Sequence, residues 1–343
     1  MSDPLVGQLL GGRYAVLDQG PEEMLGRIYR GRDQETGGLV SLKVLHPYLT
    51  GNPEKVRRFA REITATSAIR HPNTVAVLDH GETDGNHWFV LEYLNARSLV
   101  DELAERERLD VGQSLQIAHQ VAGALDAAHQ QGVVHRNLNP SNLLLLNNAR
   151  HGTYVKVADF GLSRLEGNEE GMGQGLTGTG ARIGNTFYMA PEYIEDQRVD
   201  PRGDVYALGG LLHHMLTGQP PFKGRPGQVL EMHITHRPKA PSRLVEGIAP
   251  WLDELVLNML DKSPERRPSA SAVMKALTKG HTESPLTAPP LLRLDTDGQP
   301  VPLTTIEQIA EHKSLLLGGL AALLALGLVA LLAAVGAAVY FTG

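Results

Sequence analysis

The chain has 343 residues, 42% of them hydrophobic and 20% charged, the balance of a globular protein with room for one large domain or two smaller ones. A net charge of −6 leaves no basic footprint, so no nucleic-acid partner is expected. The absence of cysteine excludes disulfides, thiolate metal sites and cysteine nucleophiles, and no basic patch followed by an apolar run marks a secretory signal at the N-terminus.

In chain order, short strands are predicted over Tyr14–Asp18, Arg27–Arg32 and Leu39–Val44. Pro53–Ile69 has helical spacing, with Val56, Phe59 and Ile63 on one face. Val75–Leu78 and Trp88–Tyr93 return to strand. Beyond them the pattern is mostly helical. Its longest stretch, Gln113–Gln131, carries Leu115, Ala118, Val121, Leu125 and Ala128 as a buried stripe. The expected fold class is α+β, a small β-rich lobe followed by a larger helical one. No internal repeat is visible.

From about Thr278 the chain turns Pro-, Thr- and Gly-rich, a semi-extended linker that ends in a short helical stretch over Thr304–Lys313. From Ser314 to Gly343 no side chain is charged. A helix needs about 20 apolar residues to cross a bilayer core, and this run is longer. No polar face recurs at helical spacing, which argues against a buried core helix. His312 and Lys313 flank one end, Tyr340 and Phe341 the other. The expectation is one transmembrane helix over 314–341, a linker over 279–313, and a folded domain over 14–278. That domain would be held on the cytoplasmic face of the cell membrane. Ala330, Ala334 and Ala338 form a small-residue row that chance explains equally well.

Several short motifs fall in a specific order. Val40-Ser41-Leu42-Lys43 ends a strand with a lysine, and Glu62 lies on the following helix. Asp159-Phe160-Gly161 follows the apolar run Val155–Ala158. Ala190-Pro191-Glu192, then Asp204–Gly209, then Pro264–Pro268 with Arg267 come after it. Any one tripeptide arises by chance, whereas their order and spacing together are specific.

On these motifs the region from about Tyr14 to Leu277 resembles the protein kinase family, particularly bacterial membrane-bound Ser/Thr kinases. The resemblance implies a two-lobed kinase-like fold with ATP and Mg²⁺ in the cleft. Lys43 would hold the α/β-phosphates, braced by Glu62. Asn142 and Asp159 would be the metal ligands, oxygen donors suited to a hard cation. Ile28 and Leu144 would sandwich adenine, Ser41 would line the pocket, and Glu92 to Leu94 would form the hinge. Glu192 with Arg267 would be a structural ion pair.

The departures from the family pattern lie on the substrate and phosphate side. In His135-Arg136-Asn137-Leu138-Asn139-Pro140-Ser141-Asn142, Asn137 replaces the catalytic aspartate and Asn139 the catalytic lysine. A carboxamide is not usefully basic, and loss of a general base is worth on the order of 10²–10⁴ in rate. Loss of one electrostatic donor to the transferring group costs on the order of 10²–10³. Asn185 stands where the family has threonine. The phosphate-covering loop keeps Gly26, but Pro21 and Glu23 occupy its first two glycine positions. Proline has no N–H to offer phosphate, and Glu22 and Glu23 add negative charge.

Two readings of Thr177-Gly178-Thr179 stand. One is a flexible Gly/Thr loop. The other is a pair of regulatory sites, Thr177 and Thr179, phosphorylated by another kinase and read by Arg136. His213, His214, His233 and His236 lack a carboxylate at matching zinc spacing and are expected as surface or core histidines. The first expectation is therefore a membrane-tethered pseudokinase, a signalling scaffold with weakened ATP and Mg²⁺ binding whose partners are signalling proteins, active Ser/Thr kinases among them. A slow but genuine Ser/Thr kinase is the alternative. A third reading is an interaction module in which Lys43, Glu62 and Asp159 survive only structurally. The resemblance also allows a homodimer paired through the small lobe.

Overall fold

A computed structural model describes residues 3–23, 25–51, 53–148, 152–161, 186–198 and 200–280, with two short strands beyond them. Asn185, Thr177, Thr179 and the 314–341 segment lie outside the described residues. The chain divides into two units, Met1–Pro289 with Leu294–Pro300, and Pro290–Arg293 with Val301–Gly343. Both lobes belong to the first.

Six strands form one antiparallel sheet in the order β1-β2-β3-β4-β6-β5. They are β1 (Leu9–Leu10), β2 (Tyr14–Glu22), β3 (Gly26–Asp33), β4 (Leu39–Leu45), β5 (Val77–Thr83) and β6 (Asn86–Glu92). Strand periodicity sorts β4 cleanly. Val40, Leu42 and Val44 pack with Tyr14, Val16, Tyr29, Trp88 and Val90 on one face. Ser41 and Lys43 therefore point to the opposite face. Cross-strand register sets Ile28 beside Lys43, Lys43 beside Phe89, and Ser41 beside Leu91. Gly26 is required here, because a Cβ on it would meet the Val44 carbonyl oxygen at 2.0 Å.

Helices α1 (Pro47–Thr50) and α2 (Pro53–Ser67) cover that second face. Leu49 and fully buried Ile63 join Leu25, Leu45 and Phe89 there. Val56 is half-buried, and the side chain of Phe59 lies outside the described residues. β1 lies outside the expected strands, and β5 begins two residues later and runs longer than the expected Val75–Leu78. Half of β5 faces solvent through Leu78, His80 and Glu82, so its hydrophobic signal is thin.

A three-stranded sheet, β7 (Arg97–Ser98), β8 (Leu143–Asn148) and β9 (Gly152–Val157), carries the chain into Asp159. Helix α3 (Leu99–Glu105) starts at a capping box between Ser98 and Asp101. Helix α4 (Val111–Gln130) is capped by Asp110, whose carboxylate accepts from the Gln113 N–H. Its Leu115, Ala118, Val121, Leu125 and Ala128 are all buried, as the periodicity predicts. Helices α5 (Pro191–Asp196), α6 (Pro201–Thr217), α7 (Pro226–Thr235), α8 (Pro250–Met259) and α9 (Ala270–Gly280) complete the large lobe. One continuous core joins α4, α6, α8 and α9. Two short strands, β10 (Leu292–Leu294) and β11 (Pro300–Pro302), are described beyond it. Among the described residues no helix is long and apolar enough to cross a membrane.

Candidate active site

The cleft is built around one buried lysine. Lys43 is 1% exposed, and its ammonium lies 2.8 Å from Asp159 Oδ1 and 2.6 Å from Glu23 Oε2. Burial opposes the charge, but the fields of Asp159 and Glu23 outweigh it and hold the Lys43 pKa above its ordinary value. The lysine is thus a fixed cation. Its partner Asp159 has a left-handed backbone, φ 61°, which turns the carboxylate into the cleft while Phe160 packs in the core. Phe160 rests on His135 at 4.7 Å between ring centroids, and its carbonyl accepts from the Thr66 hydroxyl of α2 at 3.0 Å. Burial lowers the His135 pKa and keeps its ring neutral.

Glu62 is near the same corner. Its Oε2 would stand 3.4 Å from a Cβ placed on Gly161. Among the described residues, Asp159 and Glu23 both lie within ion-pair distance of Lys43.

The catalytic-type loop is pinned from below. Asp204, 1% exposed, accepts from the backbone N–H of His135 and of Arg136, each at 2.8 Å, and contacts His129 Nε2 at 2.7 Å. Arg136 takes a left-handed φ of 67° at this bend. Asn137 follows, half-buried. Asn139 is 5% exposed and turned into the loop. Its Nδ2 donates to the Asn137 carbonyl at 2.9 Å, and its Oδ1 accepts from the Ser141 N–H at 2.9 Å, capping the turn Pro140–Asn142. Asn142 Nδ2 donates to the same Asn137 carbonyl at 2.9 Å, leaving Oδ1 as the acceptor suited to a hard cation. The Ala158 N–H donates to the Asn142 carbonyl at 2.9 Å, which brings Asn142 beside Asp159. Asn142 and Asp159 thus lie on neighbouring backbone segments, and a carboxylate and an amide oxygen are donor types that would suit Mg²⁺.

The residues expected on the adenine side lie on β3, β4, β6 and β8 and just after β6. Ile28 and Ser41 share the sheet face of Lys43, and Leu144 lies on β8, paired with Ser98 and with Lys156. Leu94 follows β6, half-buried. The Glu92 carboxylate turns away. Its Oε1 accepts from Lys156 Nζ at 2.6 Å and from the Ala76 N–H at 2.7 Å. Any contact from Glu92 to a purine falls to its main chain.

The large lobe holds the expected structural pair. Arg267 donates from Nη1 and Nη2 to the two Glu192 oxygens, each at 2.7 Å. Of the four histidines, His213 and His233 are buried, His214 is half-buried and His236 is exposed. His213 contacts the Gln219 and Lys239 carbonyls, His214 the Tyr188 hydroxyl and His233 the Tyr206 hydroxyl. His236 meets the Thr235 hydroxyl at the end of α7.

Comparison with known proteins agrees with this arrangement. The family profile described as Protein kinase domain matches residues 23–277. The chain is 33% identical over 279 residues to the serine/threonine-protein kinase pkn3 of Myxococcus xanthus, covering 80% of this chain and 51% of that protein. It is 34% identical over 275 residues to PknB of Mycobacterium tuberculosis, covering 78% of this chain and 43% of that protein. It thus spans about half or less of the length of these curated relatives. Among solved structures, the kinase domain of Mycobacterium tuberculosis PknI superposes with a TM-score of 0.63 at 29% identity, over 80% of this chain and 98% of that one. The chain belongs to the protein kinase family and resembles the bacterial serine/threonine kinases.

Proposed function

We propose that this chain is a pseudokinase, a nucleotide-capable signalling scaffold that does not transfer phosphate at a useful rate. The observation that carries the reading is the carboxamide pair of the catalytic-type loop. Asn137 stands in the base position without a basic group, and Asn139 is turned inward as a cap. A side chain that caps the loop does not reach a transferring phosphoryl group. Lys43, Asn142 and Asp159 support retained, weakened binding of ATP and Mg²⁺. The apolar 314–341 segment supports a single membrane anchor with the kinase-like domain on the cytoplasmic side. Partners would be other signalling proteins, including active Ser/Thr kinases that phosphorylate Thr177 or Thr179.

The Lys43–Asp159 contact favours a second reading, a slow Ser/Thr kinase. Radiolabelled phosphotransfer by the full chain decides between them. Family kinases turn over at roughly 1–100 s⁻¹, and the combined losses place this chain below about 10⁻² s⁻¹. Faster transfer that disappears in Lys43→Met refutes the pseudokinase reading. Thermal stabilisation by ATP that requires Mg²⁺ separates both readings from a module that binds no nucleotide.

A further inference from the structure

The hairpin between β2 and β3 does more than replace two glycines. Glu23 and Gly26 close its turn in both directions. The Glu23 N–H donates to the Gly26 carbonyl at 2.8 Å, and the Gly26 N–H to the Glu23 carbonyl at 3.3 Å. The turn is latched to the sheet beneath it. His46 Nε2 lies 3.0 Å from the Glu23 carbonyl oxygen, and Glu22 pairs with Arg27 across the strands. From this position the Glu23 side chain reaches Lys43 and sets a carboxylate oxygen 2.6 Å from its ammonium. Lys43 is the cation that a nucleotide's α/β-phosphates would need.

We propose that Glu23 determines which nucleotides the cleft accepts, by holding its carboxylate in the phosphate seat on Lys43. The inference rests on the nucleotide-binding reading above and deepens it. An uncharged adenine nucleoside leaves the Glu23–Lys43 pair intact. A triphosphate must displace it, and otherwise adds its charge to two carboxylates that share one ammonium. The pair is exchangeable because it is lopsided. The Lys43 side chain is 2% exposed, whereas that of Glu23 is 40% exposed and has water to return to. The cleft therefore prefers adenosine over ATP until Glu23 is moved aside. Asp159, 22% exposed, is the second carboxylate on the same ammonium.

The test is calorimetric titration of the full chain with adenosine and with ATP·Mg²⁺, in wild type, Glu23→Gln and Glu22→Gln. Glu23→Gln keeps the volume and removes the charge. It is expected to tighten ATP·Mg²⁺ by about 10–100-fold, the value of one charge-assisted contact. Adenosine affinity should stay within about twofold. Glu22→Gln removes the neighbouring charge, which faces Arg27 rather than Lys43, and should leave both ligands within about twofold of wild type. Adenosine binding with no ATP gain in Glu23→Gln overturns the role of Glu23 alone. An equal gain in Glu22→Gln also overturns it, because general charge would then explain the effect. Absence of adenosine binding in all three proteins overturns the nucleotide-binding reading itself, and this inference with it. Glu23→Gly, which restores the family residue at an exposed turn, repeats the gain if glutamine disturbs the hairpin.

Discussion

Two ion pairs lie at opposite ends of the large-lobe and cleft machinery, and they are built differently. In the helical lobe, Arg267 grips Glu192 with two parallel bonds, and the two side chains are 0% and 6% exposed. The rest of the guanidinium is satisfied by the carbonyls of Asp261, Lys262 and Arg202. In the cleft, one ammonium meets two carboxylates from two different segments, a hairpin turn and the end of a strand. A planar fork enclosed by carbonyls has nothing to exchange with. A lysine with a half-exposed partner does. The first pair holds the fold, and the second can change partners when a ligand arrives.

The largest effect that can break this comparison lies in the helical lobe. Arg267→Met leaves Glu192 charged and buried, a loss of about 3–5 kcal/mol. The Arg267 guanidinium also lies over the Tyr206 ring at 4.8 Å, so α6 loses packing as well. Glu23→Gln should cost less than about 1 kcal/mol, as expected of an exposed carboxylate. Urea unfolding midpoints check both. Equal losses at the two sites would show that the cleft pair is structural, which removes the basis for exchange.

Acid should reach the same helical lobe by another route. Burial first, and then the charge of Lys262, pushes the His233 pKa down to about 4. Burial, with His213 and Lys223, does the same to His214, also to about 4. The unfolded chain binds these protons near the ordinary histidine value of about 6.5. Between pH 6.5 and 4 the unfolded state therefore holds more protons. Stability is complete above that window and is lost as the pH falls through it. The expected loss is roughly 1–2 kcal/mol per histidine between pH 7 and pH 5. Urea midpoints measured across this range should fall with acid, and His233→Gln should flatten part of the slope. An unchanged slope in that variant would assign the acid sensitivity to other groups.

The contrast between the two pairs also marks where sequence reading stops. Lys43, Asn142 and Asp159 are legible because strand periodicity and motif spacing fix where each backbone lies. So is the Glu192–Arg267 pair, whose members sit in two recognisable tripeptides. The two-lobed fold follows from the same spacing, although β5 hides behind its solvent-facing half. What sequence leaves open is the direction of a side chain with several partners in reach. Glu92 could face a purine, yet Lys156 and the Ala76 N–H draw it away. Glu23 reads as added negative charge beside the phosphate site, and only the folded hairpin shows that it lands on Lys43.

Asn139 is the residue between these two regimes, since the family places a cleft cation at its position and this chain makes it part of the fold. As a cap it satisfies the Ser141 N–H and donates to the Asn137 carbonyl, which Asn142 also uses. Asn139→Ala should destabilise the chain by about 0.5–2 kcal/mol, the usual value of a lost cap. Asn139→Lys loses the same cap and must also move its ammonium out of a site that is 5% exposed. Its loss should therefore match or exceed that of alanine. Thermal melts of the two variants beside wild type check this order. If lysine proves less costly than alanine, the loop readmits a cation without strain. The double revertant Asn137→Asp with Asn139→Lys would then still face the Pro21–Glu23 hairpin and Asn185. If lysine is the more costly, the loop has been rebuilt around the carboxamide, and restoring two residues does not restore the site.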